Sequence, residues 1–485
     1  MSTEASPLSR SFGGRAVTGA VWLSLVTVAN GLIGATVSIF LARRLGPGPI
    51  GVYALAIAAS DLAALAVTWG IDTFLVQARE DSRPQFGTAL TLALLLSGAF
   101  FLISVALAAV LVLVLHRQPL LALLVLGLAV QRTFLLTGTC YGALLQRRFQ
   151  FGWLAVIQIV MGVVEHLAAV AVALAGGGAL ALLARDVLDP LGLLVGARLV
   201  SRRPYRLAWD RGAARAMRRF GLAIFAGQTG DLSVHKLDSA ILGATWGTGE
   251  LAFYEESFKL ADVARRAAQP ALSQVALTTY ARLAGEPRRR SAIFQVIQAL
   301  GVRLLLPFLL ALLLLPRPLI LLLFGSQWLG AVPIVRAFAG YAVLVPLFEH
   351  VRQLLLSQGA AAAVARARIV QLLVFLACLG LLLPRWGGEG AALAVGAGVG
   401  SALLVAGLAA RRFSDGVSVL RKTYLSPLVA SGAAALAVLW PAAQQPAPVR
   451  LAGMCLVYAA VLVAMDRKPL RAAWARKRAG KPLLL

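Results

Sequence analysis

The chain has 485 residues, 60% of them hydrophobic and 14% charged, with a mean hydropathy of +0.82. Counted with its 46 glycines, the apolar share is about 70% against about 45–50% for a soluble domain, which excludes a soluble enzyme of this length. Lys and Arg number 46 against 20 for Asp and Glu, a formal charge of +26, but the basic residues lie between long apolar runs, the pattern of cytoplasmic loops beside anionic lipid and not of a nucleic-acid surface.

The first ten residues, MSTEASPLSR, are polar and mixed in charge. The apolar stretch from Val17 to Leu41 is too long for the core of a removable signal, and it reads as the first membrane span. Each span needs about 20 largely apolar residues. On that measure fourteen are predicted, at 17–41, 49–74, 87–112, 119–142, 153–175, 179–199, 219–244, 250–276, 292–315, 328–355, 362–383, 389–410, 426–441 and 450–465. The eighth carries Glu255, Glu256, Lys259, Asp262, Arg265 and Arg266, so one of its sides must face water or protein.

With the N-terminus inside, thirty basic residues fall on the cytoplasmic side, six on the opposite side, and ten within the spans. That bias predicts an inner-membrane protein with both termini in the cytoplasm. The three cysteines, Cys140, Cys378 and Cys455, show no metal or redox spacing, and no P-loop, HExxH or nucleophile elbow occurs. Neither a cofactor nor catalysis is expected, which leaves transport coupled to an H⁺ or Na⁺ gradient or to substrate pull.

One internal repeat stands out. FLARRLGPGPIGVY at 40–53 aligns with ILGATWGTGELAFY at 241–254, pairing Gly46 with Gly247, Gly48 with Gly249 and Tyr53 with Tyr254. An even number of spans separates the two stretches, so the repeat is parallel. It predicts an all-α polytopic protein with two six-helix lobes, residues 1–210 and 211–415, a water-filled cleft between them, and a C-terminal pair of spans with a basic tail in 416–485.

The run GAVWLSLVTVANGLIGATVSIFLARRLGPGPIGVYALAIAASDLAALAVTWGIDTFLVQ, from Gly19 to Gln77, resembles the opening of Wzx-type polysaccharide flippases of the multidrug/oligosaccharidyl-lipid/polysaccharide (MOP) exporter superfamily. Four further stretches are similar in order: ALLQRRFQFGWLA at 143–155, RRFGLAIFAGQTGDLSVHKLDSAILGATWGTGELAFY at 218–254, LILLLFGSQWLGAVPIVRAFAG at 319–340 and GGEGAALAVGAGVG at 387–400. The resemblance implies fourteen helices in a MATE-like arrangement. It also implies alternating-access transfer of an undecaprenyl-diphosphate-linked oligosaccharide from the cytoplasmic to the periplasmic leaflet, alongside the polymerase and chain-length regulator of the same pathway. A departure is local: Asp238 is followed by Ser239, where family members often carry an arginine. A MATE-like drug or cation antiporter on the same scaffold stays open as an alternative, and so does a polyprenyl-glycan polymerase or ligase.

A lipid diphosphate could cross hydrocarbon only if cations held it, and arginine grips phosphate oxygens with a planar fork. The candidate cavity residues are therefore the ionisable groups inside spans. In the C-terminal half these are Lys236, Lys259, Arg303, Arg336 and Arg352, with Glu349 as a partner, and Arg303 is singled out by its purely apolar neighbours. Arg132 is the counterpart in the N-terminal half. Asp231, Lys236 and Asp238 are expected to line one wall, since positions i and i+7 share a helix face. Glu165, His166, Asp186 and Asp72 are candidates for ion coupling. Structural ion pairs and interhelical hydrogen bonds are the competing role for each.

Overall fold

The computed structural model describes residues 29–64, 70–77, 83–114, 119–202, 206–283, 285–413, 416–439 and 446–465. The polar N-terminus, the first part of the span expected at 17–41 and most of the basic tail lie outside these residues, as does the side chain of Asp231. The described chain is helical throughout and divides into two compact units, Met1–Ala252 and Phe253–Leu485.

In the first unit, α1 (29–45) is followed by α2 (Pro47–Ala64), α3 (Ile71–Gln77), α4 (Arg83–Ala109, ending in a π turn at Val110–Val114), α5 (Pro119–Arg147), α6 (Phe151–Leu174), α7 (Leu180–Ser201) and α8 (Arg211–Thr245). Helix α9 (Thr248–Arg282) begins here and continues into the second unit. The repeat in the sequence corresponds to a repeated piece of geometry. Gly46 separates α1 from α2 with φ +73°, and Gly247 separates α8 from α9 with φ +88°. Both are left-handed backbone that side chains resist, which is why glycine recurs at an offset of 201. The paired tyrosines, Tyr53 and Tyr254, are both buried.

Helix directions can be read from close approaches. A side chain at Gly127 or Gly138 of α5 would strike Leu183 or Leu194 of α7. The constant sequence offset means that the two helices run parallel. Gly192 and Gly196 of α7 lie against Met161 and Ile157 of α6, so those two are antiparallel. Small residues at such contacts let helices pack where lipid offers no hydrophobic drive.

The second unit continues with α10 (Pro287–Leu314), α11 (Pro316–Leu323), a 3₁₀ turn at Ser326–Ala331, α12 (Val332–Ser357), α13 (Ala361–Ala410), α14 (Gly416–Leu439) and α15 (Ala447–Met465). Helix α13 is a hairpin. Gly387 breaks it with φ 52° and ψ −130°, and beyond the break Gly390 abuts Leu382 while Gly398 abuts Gln371 and Phe375. The two arms are therefore antiparallel, matching the separate spans predicted at 362–383 and 389–410. The FGSQWLG stretch also has a plain role. Gly325 turns the chain at φ +93°, and Trp328 is fully buried against Phe253 and Phe324.

Among the described residues, eight helical segments are long and apolar enough to cross a membrane, the 50-residue α13 counting as one of them. Helix α7 is excluded by Arg185, Asp186, Asp189 and Arg198, and α9 carries a similar load of charge. These are the helices whose charges must be neutralised inside the protein.

Candidate functional site

Three junctions in the first unit and three in the second gather the ionisable residues of the spans. In the first unit Asp61 of α2 holds two cations from two other helices. Arg132 Nη2 of α5 donates to Asp61 Oδ1 at 3.1 Å, and Lys236 Nζ of α8 lies 3.2 Å from Oδ2. All three side chains are between 20% and 30% exposed, so the junction is neither sealed nor free. The guanidinium of Arg132 also sits over the Phe100 ring, 5.7 Å from its centroid. One carboxylate against two cations leaves a formal excess of one positive charge.

The second junction, on α2, α6 and α7, has the opposite balance. Tyr53 Oη donates to Asp186 Oδ2 at 2.6 Å, and Arg185 Nε donates to Oδ1 at 2.7 Å. His166 Nδ1 lies 3.1 Å from Glu165 Oε1 and against the Gly162 carbonyl. Asp189 is within electrostatic range of Glu165, His166 and Asp186. Three carboxylates thus face one arginine and one histidine. Among the described residues, no group of three His, Cys, Asp or Glu side chains is arranged to hold a metal ion.

Asp238 makes the third. It is buried and accepts the backbone N–H and hydroxyl of Ser239. Asp72 stands apart in the first turn of α3, where a negative charge suits the helix N-terminus.

In the second unit Glu349 of α12 repeats the two-cation arrangement. Its Oε2 lies 2.6 Å from Arg352 Nη2, one turn on in the same helix, and its Oε1 lies 3.0 Å from Arg368 Nη2 of α13. Arg368 also donates to Gln371 Oε1 at 3.0 Å and lies over Phe348, 4.7 Å from the ring centroid. Glu349 is only 10% exposed, and its two arginines are 28% and 29% exposed. Losing a buried partner of this kind leaves uncompensated charge.

A second junction is centred on Asp262 of α9, which is fully buried. It accepts from Arg265 Nη2 and Arg266 Nε at 2.7 Å each and from Tyr341 Oη of α12 at 3.3 Å. Lys259 pairs with Glu256 at 2.6 Å on the same helix.

Arg303 forms a junction of a different kind. Its guanidinium donates to Ser426 Oγ of α14 at 3.2 Å and to the Ala299 carbonyl at 3.1 Å. Its own carbonyl accepts from Tyr458 Oη of α15 at 2.9 Å. It therefore ties α10 to the C-terminal helix pair. Arg336 is exposed on α12.

The candidates that come together are thus Arg132 with Lys236, Arg352 with Glu349, and Glu165 with His166 and Asp186. Sequence reasoning assigned no role to four participants. Nothing in the sequence singles out Asp61 or Arg368, and Tyr53 is only a repeat marker. Asp189 had a legible signal, since it lies one turn beyond Arg185 and Asp186. The contact of Tyr280 Oη with His350 Nε2 at 3.1 Å, with Phe294 stacked on the imidazole at 4.7 Å, had none.

The described chain is thus a helical membrane scaffold with paired charges at its helix junctions. Residues 40–333 match the model of a family described as polysaccharide biosynthesis protein, and the chain belongs to that family. The succinoglycan biosynthesis transport protein ExoT of Rhizobium meliloti (strain 1021) is 25% identical over 303 residues, which are 62% of this chain and 60% of that protein. The chain thus spans less than two thirds of that relative's length.

Among solved structures, the lipid II flippase MurJ in an inward closed conformation superposes with a TM-score of 0.73 at 11% identity, over 93% of this chain and 100% of that one. An inward-facing MATE-family multidrug resistance transporter of the MOP superfamily gives 0.62 at 14% identity, over 84% and 99%. Both are likenesses of fold. The chain is a multi-pass helical membrane protein of the polysaccharide biosynthesis family, and its fold is that of these two transporters.

Proposed function

We propose that the protein is a flippase that moves a polyprenyl-diphosphate-linked oligosaccharide, of the undecaprenyl class, from the cytoplasmic to the periplasmic leaflet by alternating access. The observation that carries this reading is the two-to-one pairing of cations with a carboxylate inside the spans of each unit, at Asp61 and at Glu349. Each junction sets two basic side chains beside one carboxylate, a formal arrangement that an arriving anion can share. A diphosphate is the kind of anion that meets it, because several oxygens can accept from guanidinium forks at once.

Arg132, Lys236, Arg352 and Arg368 are proposed as the substrate-facing cations, with Asp61 and Glu349 as their positioning partners. Lys259, Arg336 and Asp238 belong to the lining at most, and Arg303 is proposed to fasten α10 to α14. The group of Glu165, His166, Asp186 and Asp189 is proposed as the seat of proton or sodium coupling. In this reading the chain has fourteen spans, two six-helix lobes (1–210 and 211–415), a C-terminal pair of spans in 416–485, and both termini in the cytoplasm. The polymerase and chain-length regulator of the pathway are its proposed partners.

The reading is tested by mass spectrometry of lipid extracts from a strain lacking the gene. Lipid-linked repeat units are expected to accumulate in the extracts. Normal surface polysaccharide without accumulation would refute the reading.

A further inference from the structure

The α13 hairpin carries a feature that transport through the protein does not use. At the end opposite its Gly387 turn, the two arms enclose a cavity of about 420 Å³. Ala363, Val405, Leu408 and Phe413 give it apolar walls, and Arg366 and Arg412 stand over it. The arginine distribution assigns this end to the cytoplasmic side.

Neither arginine pairs with a carboxylate among the described residues, unlike Arg265, Arg266, Arg352 and Arg368 of the same unit. Arg366 donates only to the Ala362 carbonyl of its own helix at 3.4 Å, although two residues further on Arg368 is bound to Glu349. The helix thus turns one arginine inward to an acid and leaves the other outward over the cavity.

An exposed apolar ridge leads away from each outward arginine. On the first arm Ile369 and Leu373 follow Arg366 at helical spacing and are 58% and 61% exposed. On the second arm Leu408 and Leu404 precede Arg412 at the same spacing and are 49% and 64% exposed. Because the arms are antiparallel, both ridges run from the charged end towards the Gly387 turn. Two arginines over a small cavity, with paired apolar tracks beneath them, match one amphiphile: a phosphate-bearing headgroup with two acyl chains.

We propose that this end of the α13 hairpin is a binding site for an anionic glycerophospholipid of the cytoplasmic leaflet. The headgroup phosphate is held by Arg366 and Arg412, and the acyl chains lie along Ile369–Leu373 and Leu404–Leu408. The site is independent of the flippase reading, since none of its residues is among the proposed substrate-facing cations.

The test is native mass spectrometry of the full-length protein in detergent, titrated with phosphatidylglycerol or phosphatidylcholine. Phosphatidylglycerol is expected to bind the more tightly. Arg366→Gln and Arg412→Gln are each expected to weaken its binding about fivefold, and the double variant about thirtyfold. Arg366→Lys with Arg412→Lys is expected to retain most of it, and Arg317→Gln with Arg385→Gln, exposed arginines away from this end of the hairpin, to leave it unchanged.

Glycerophosphoglycerol and inorganic phosphate distinguish a lipid site from a soluble-phosphate site. At concentrations equal to the lipid, neither is expected to displace it. Equal binding of the two lipids, unchanged binding in the single and double glutamine variants, or full displacement by the soluble phosphates would overturn the proposal.

Discussion

The Asp61 junction of the first unit and the Glu349 junction of the second solve one problem with different geometry. Each sets a single carboxylate between two cations. Asp61 collects its cations from two other helices, so that α2, α5 and α8 meet at one point with each side chain 20–30% exposed. Glu349 takes one cation from its own helix and one from α13, and it is buried to 10%. The difference separates two jobs that charge does inside a membrane. The deeper junction is bound up with the stability of its unit, because removing its acid strands two arginines. The more open one can exchange partners at lower cost, which suits a group that must release its cations to an arriving anion.

The largest effect that can break this comparison is expected from Glu349→Gln. It leaves Arg352 and Arg368 without their counter-charge, and a destabilisation of about 3–5 kcal/mol is expected. Thermal unfolding of the purified protein in detergent checks it. The matching change Asp61→Asn is expected to cost less, roughly 1–3 kcal/mol, because its partners retain water. Equal costs at the two sites would remove the distinction drawn between them.

Next in size, and on function instead of stability, Arg132→Gln is expected to lower export at least about tenfold while membrane insertion and protein level stay normal. Loss of one charge-assisted contact accounts for that much. Surface-polysaccharide yield normalised to protein abundance is the measurement.

Tyr53→Phe removes the 2.6 Å hydrogen bond to Asp186 and is expected to cost about 1.5–3 kcal/mol if the carboxylate stays charged. Substitution at the repeated hinges gives the smallest effects. Gly46→Ala and Gly247→Ala each place a side chain at positive φ, with an expected cost of about 1–2 kcal/mol each. Similar values at the two hinges would sharpen the case that the repeat is a repeat of backbone geometry.

Much of this was legible in the residues. Hydropathy located the helices, and the pairing of Gly46 with Gly247 marked a repeat that the backbone shows to be two left-handed hinges. Isolated cations in largely apolar stretches, such as Arg132, announced that partners must exist. Which partner each takes was not legible, because the contacts join residues far apart in sequence. Asp61 reaches Lys236 across 175 positions, and no spacing rule links them. Arg303 illustrates the converse. Its apolar neighbours made it the most conspicuous cation, yet it fastens α10 to Ser426 of α14, a serine with no sequence signal of its own. Arg368 was hidden for a third reason. It lies two turns inside α13 but reads as part of a basic loop, since Arg366 beside it does face outward.

The central claim concerns the cargo, and one measurement addresses it directly. The purified protein is reconstituted into liposomes carrying an undecaprenyl-diphosphate-linked oligosaccharide in the inner leaflet, and the appearance of glycan at the outer surface is followed with a membrane-impermeant glycosidase. The account predicts that the glycan becomes accessible faster than in protein-free liposomes, and that Arg132→Gln combined with Arg352→Gln abolishes the difference. A rate equal to that of protein-free liposomes would contradict it.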